Sequence, residues 1–102
     1  VQEFQERYRL QMRYRGFLRA LLSTLRSGML GDFSHLYRQI GNSSLPVLIL
    51  WGRQDTTIPY AHALELKRQI LQAQLVSVEG CGHIPHYEKP QVVNPILIEF
   101  LR

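Results

Sequence analysis

Two side chains in this sequence could share acid–base work: the carboxylate of Asp55 and the imidazole of His83. Asp55 closes the stretch Trp51-Gly52-Arg53-Gln54-Asp55, and His83 closes Glu79-Gly80-Cys81-Gly82-His83. A carboxylate beside an imidazole fixes its tautomer and stabilises the imidazolium, while the second ring nitrogen takes a nucleophile's proton. Plainer explanations compete with that chemistry. Aspartate is favoured in turns, where its side chain bonds nearby backbone. The other aspartate, Asp32, already has a capping explanation. His86 lies three positions beyond His83 but lacks the preceding Gly-x-Gly, so it reads as structural or pocket-edge. His35 and His62 fall in helical stretches and are expected to be exposed. These histidines lack zinc-ligand spacing, and no metal site is expected. Cys81 sits two positions before a loop histidine, a placement that rarely aims at the ring, so it is not read as a nucleophile.

The elements around the two groups account for their placement. Val47-Leu48-Ile49-Leu50-Trp51 is an unbroken apolar run rich in β-branched residues, which suits a strand covered on both faces. A helix is predicted over 60–71, with Ala63, Leu64, Ile70 and Leu71 apolar against polar Glu65, Lys67, Arg68 and Gln69. Leu75 to Val78 is a second strand. Pro90 opens a final helix carrying Val93, Ile96, Leu97, Phe100 and Leu101. Pro95 lacks an N–H, so it must sit in the first turns or bend that helix. Strand, helix, strand, helix predicts a βαβ unit and a parallel sheet. In open parallel sheets functional groups collect just past the carboxyl ends of the strands, where Asp55 and His83 lie. Gly52 allows the chain to turn sharply, and Gly80 and Gly82 allow the bends that swing His83 back over the sheet. Two such strands alone would leave open edges, so the fold class is α/β, a piece of a larger doubly wound sheet. Upstream, residues 3–27 read as two helices meeting near Gly16, with Phe17, Leu18, Leu21, Leu22 and Leu25 forming an apolar stripe. Gly28 and Gly31 mark a loop. Asp32 then caps a short helix with Phe33, Leu36, Tyr37 and Ile40 on one face, ended by Gly41 and Asn42.

The stretch Pro46 to Pro59, with its W-G-x-x-D-x-x-x-P pattern, resembles the strand-seven region of α/β-hydrolases, which carries the triad acid. Gly80-Cys-Gly-His83, followed by Glu88-Lys89-Pro90, is similar to their strand-eight G-x-G-H segment and the opening of their last helix. The resemblance covers about Pro46 to Leu101. It implies Asp55 as acid and His83 as base, and a fold that is the C-terminal portion of an α/β-hydrolase sheet. Tyr14 to Leu21 more loosely resembles the place where the helical cap of these enzymes rejoins the core. Residues 1–15 would then be the end of the cap and 16–102 core, with Phe17, Leu18 and Leu21 as candidate substrate-binding residues. Ile58, just after the acid, is a candidate pocket edge. The family's G-x-S-x-G nucleophile elbow is absent. Ser43 follows Gly41 but has Leu45 where a glycine belongs, and Ser34 lies between Phe33 and His35. Family order puts the nucleophile and the oxyanion donors upstream, so this chain alone is expected to be inactive. The intact protein is expected to hydrolyse an ester, thioester or activated carbon–carbon bond of a small apolar substrate, without metal or organic cofactor. An upstream aspartate nucleophile, as in epoxide hydrolases and haloalkane dehalogenases, would leave the same acid and base here. A hydrolase-like fold kept only for binding or sensing is the other alternative.

Composition bounds the partners. The 102 residues are 45% hydrophobic, enough for one small packed domain. The net charge of +4 comes with twelve basic residues, ten of them Arg, six within the first 26 positions. No helix-turn-helix, zinc-ligand or RNA-binding signature accompanies them, so nucleic acid is not expected as a partner. No apolar run reaches the roughly 18 to 20 residues of a membrane span. Val1 follows no charged-then-apolar leader, and the chain reads as processed or as part of a longer protein that supplies the N-terminal portion. With one cysteine there is no disulfide framework, and a cytoplasmic location is the default expectation.

Overall fold

The apolar run after Pro46 forms strand β1 (Leu48–Gly52) in the computed structural model, which describes residues 1–102. Strand β2 (Gln74–Val78) lies parallel to it, with Leu48 opposite Gln74 and Gly52 opposite Val78. Strand β1 is displaced by one residue from the run Val47–Trp51, and β2 begins one residue before Leu75 and ends at Val78 as expected. Helix α4 (Ala61–Gln69) is the crossover between the two. Alternate residues of β1 face opposite sides of the sheet, and each side has its own core. On one side Ile49 is buried with Ala63, Ile70 and Ala73, flanked by Tyr37, Ile40, Val47, Trp51 and Leu66. On the other, Leu50 packs against Val78, Cys81 and Val93, with Leu97 beside them. The covered strand expected from the apolar run is therefore present.

Helix α6 (Pro90–Phe100) supplies Val93 and Leu97 to the second core. Pro95 stands inside α6, beyond its first turn, and the helix continues through it. Helix α3 (Ser34–Gly41) ends at Asn42 as expected, but Phe33 rather than Asp32 occupies its cap position. The predicted helix over 60–71 is shorter, because Ile70 adopts an extended backbone (φ −120°, ψ 80°) and turns out of α4. Ile70 is buried in that position, whereas Leu64 and Leu71 are exposed, the latter by 76%. Leu66 packs in their place. Lys67 Nζ donates to the carbonyls of Leu71 and Ala73, both at 2.6 Å, and so holds the turn from α4 into β2. A four-residue helix, α5 (Pro85–Glu88), precedes α6.

Residues Val1–Asp32 form a compact unit distinct from Phe33–Arg102. It holds α1 (Gln2–Gln11) and α2 (Phe17–Arg26), separated at Gly16, so the two-helix expectation holds. Tyr8 meets Phe17 edge-to-face, with ring centres 5.6 Å apart. No helix is long and apolar enough to cross a membrane.

Candidate functional site

Because Gly52 pairs with Val78, the two strands end level and the loops that follow them emerge side by side. The ladder runs on past the strands: Arg53 N–H donates to the Val78 carbonyl at 2.9 Å, and Gln54 N–H to the Cys81 carbonyl at 3.0 Å. Gln54 adds a side-chain tie. Its Oε1 accepts from Cys81 N–H at 3.1 Å, and its Nε2 donates to Glu79 at 3.1 Å. A Cβ on Gly52 would stand 1.9 Å from the Gly82 carbonyl oxygen, so only glycine permits this approach. Gly80 takes a positive φ of 64°, the bend that turns the second loop back.

These two loops bring Asp55 and His83 together. His83 Nδ1–H donates to Asp55 Oδ2 at 2.9 Å, while Asp55 Oδ1 accepts from the N–H groups of Thr57 and Ile58, both at 2.9 Å. The Asp55 side chain is only 3% exposed; that of His83 is 45% exposed. Burial pushes the Asp55 carboxyl up, but the hydrogen bond from His83 and those from Ile58 and Thr57 outweigh it and hold the carboxyl below its ordinary value. A buried carboxylate bonded in this way holds an imidazole with Nδ1 protonated and leaves Nε2 as its basic nitrogen. His83 and Asp55 line a hollow together with Leu50, Trp51, Gly52 and Pro85.

Ile58 enters the site through its backbone, which bonds Asp55 by its N–H and accepts from the Trp51 indole at 3.0 Å by its carbonyl. Its side chain lines a neighbouring hollow with Tyr37, Trp51, His62 and Leu66. Phe17, Leu18 and Leu21 belong to the first unit, on α2, where Leu18 and Leu21 are exposed. The Cys81 thiol is buried, and burial together with the Glu88 carboxylate raises its pKa, so it is held as a neutral thiol. His35, His62 and His86 enter no group of three or more His, Cys, Asp or Glu that could hold a metal ion.

Sequence reasoning assigned no role to Gln54 or Glu88. Both hold the loops: Glu88 Oε1 accepts from Gly82 N–H and Oε2 from Ile84 N–H, each at 3.1 Å. The available signal was a carboxylate one short helix beyond the histidine, where side chains lean back toward the helix start.

Residues 5–90 match a family described as alpha/beta hydrolase fold. The chain is 35% identical over 77 residues to the AB hydrolase superfamily protein YisY of Bacillus subtilis, covering 76% of this chain and 29% of that protein. It is 36% identical over 64 residues to a 2-hydroxy-6-oxo-6-phenylhexa-2,4-dienoate hydrolase of Comamonas testosteroni, covering 63% of this chain and 22% of that one. Among solved structures it resembles MGS-MChE2, an alpha/beta hydrolase enzyme from a lagoon-sediment metagenome. The TM-score is 0.73 at 24% identity, over 96% of this chain and 43% of the other. The chain thus spans between a fifth and a third of the length of these curated relatives.

Proposed function

Since the chain belongs to the α/β-hydrolase fold family, we propose that Asp55 and His83 are the acid and base of a hydrolase triad completed by an upstream nucleophile. The observation that carries this is the 2.9 Å hydrogen bond from His83 Nδ1–H to the buried Asp55 carboxylate, on adjoining loops past two parallel strands. In the proposed cycle His83 Nε2 takes the nucleophile's proton as its oxygen bonds the substrate carbonyl carbon. The imidazolium, stabilised by Asp55, then gives that proton to the departing group. A water next loses its proton to Nε2 as it attacks the covalent intermediate, and the proton returns to the nucleophile's oxygen. Asp55 stays ionised throughout.

Residues 1–15 are assigned to the end of a helical cap and 16–102 to the core. Phe17, Leu18 and Leu21 are assigned as substrate-binding residues of the first unit, and Ile58 as an edge of the hollow beside Trp51 in the second. The apolar walls beside His83, formed by Leu50, Trp51 and Pro85, favour a small apolar ester or an activated carbon–carbon bond as substrate. The name of the relative at 36% identity, a hydrolase of 2-hydroxy-6-oxo-6-phenylhexa-2,4-dienoate, favours a hydrolytic reaction.

The test is the intact mass of the full-length protein after incubation with a fluorophosphonate, beside a His83→Ala control. One adduct that weakens or vanishes in the control is expected. No adduct on folded protein discards a serine nucleophile and leaves an aspartate nucleophile or a non-catalytic fold.

A further inference from the structure

Glu88 takes no part in the proton transfers above, yet its carboxylate bridges the backbone on both sides of His83. Oε1 accepts from Gly82 N–H and Oε2 from Ile84 N–H, each at 3.1 Å. Those two donors belong to the residues immediately before and after His83. One planar, charged group therefore holds the His83–Ile84 peptide plane, which follows the histidine's Cα, and the Cys81–Gly82 plane, one residue before it. Hydrogen bonds to an ionised acceptor are about twice as strong as neutral ones. The sequence builds the bridge locally. Helix α5 starts at Pro85 and its side chains lean toward its N-terminal end, which brings Glu88 back over the loop it follows. Gly82 leaves the space, since a Cβ there would lie 3.3 Å from both carboxylate oxygens. The His83 side chain is 45% exposed within these 102 residues. What fixes it is the Asp55 bond at one end and the position of its backbone at the other.

We infer that Glu88 is a positioning residue for His83: by clamping Gly82 and Ile84 it keeps the ring where Nδ1 meets Asp55 and Nε2 is left for the nucleophile. This rests on the assignment of His83 as the base. The experiment uses the full-length protein and its Glu88→Ala, Glu88→Gln and His83→Ala variants. Two quantities are read: kcat and KM on a chromogenic ester, and the downfield Nδ1–H proton resonance of His83, identified by its loss in His83→Ala. Glu88→Ala is expected to lower kcat roughly tenfold to hundredfold with KM held within about twofold, and to broaden the Nδ1–H resonance by faster exchange. Glu88→Gln keeps one acceptor oxygen and is expected to fall between; it carries the comparison should the alanine variant not fold. A variant that loses thermal stability but keeps both kcat and a sharp resonance overturns the inference. If His83→Ala leaves turnover intact, the hydrolase assignment fails instead, and the resonance alone then decides whether Glu88 holds the ring.

Discussion

At the scale of single residues, Asp55 combines burial with three N–H donors, one from His83 and two from the backbone of Thr57 and Ile58. A carboxylate offers acceptors in both directions; an amide of the same shape offers only one carbonyl oxygen. Asp55→Asn must turn its NH2 either toward the backbone donors or toward His83, and the second choice pushes the ring proton onto Nε2. With the acid and base assigned as above, turnover in full-length Asp55→Asn is expected to fall by about 10³ to 10⁴ while KM changes little. Circular dichroism would check that the fold persists. The same substitution exposes a pH dependence. The Asp55 carboxyl is held below its ordinary value in the folded state. Its contribution to stability therefore stands in full above about pH 4, the ordinary aspartate range, and is lost as pH falls through the lowered folded value. Urea midpoints at pH 6 and pH 3 should differ more for the parent protein than for Asp55→Asn; equal differences would discard the assignment of an ionised, stabilising Asp55.

At the scale of elements, the site is a consequence of register. Two strands that end level place two loops in contact, and at Gly52 there is no room for a side chain between them. The atom that would meet a new Cβ is a backbone carbonyl oxygen at 1.9 Å, which has no rotamer with which to move aside. Gly52→Ala is expected to lower stability by about 3 kcal/mol and to separate Asp55 from His83. Chemical denaturation measures the first effect, and loss of the Nδ1–H resonance the second. Much of this arrangement could be read in advance. The apolar run from Val47 marks its strand unaided, and two post-strand loops ending in Asp and His need only the parallel-sheet rule to be brought together. What could not be read depends on backbone conformation or on reach across the fold. Asp32 has a capping side chain, but the chain enters α3 one residue later, at Phe33. Leu64 and Leu66 are equally apolar in sequence, and only the rotation of α4 on the sheet decides that Leu66 packs while Leu64 faces out. Gln54 looks like an ordinary surface residue, and Glu88 like no more than the opening of the last helix, until the loops they tie are seen in contact.

At the scale of the whole molecule, the sheet has two strands, so both of its edges are open. Leu71, Ile98 and Leu101 are large apolar residues with most of their surface exposed, and Leu30 in the first unit is 75% exposed. Residues 1–102 alone are therefore expected to bind an apolar dye such as anilinonaphthalene sulfonate and to unfold over a broad range. A longer protein that covers these surfaces is expected to do neither. Equal dye binding by both would show that these faces stay uncovered in the whole protein. The 102 residues contain one tryptophan, and it stands at the end of β1. Its indole donates to the Ile58 carbonyl, and the N–H of that same residue holds Asp55. Trp51 packs on the Ile49 side of the sheet and lines the hollow there with Tyr37, Ile58, His62 and Leu66. Trp51 is thus an optical probe already built into the acid loop. A molecule that displaces water from that hollow should shift its emission to shorter wavelength, so occupancy can be followed by fluorescence with no label attached and before any substrate is known.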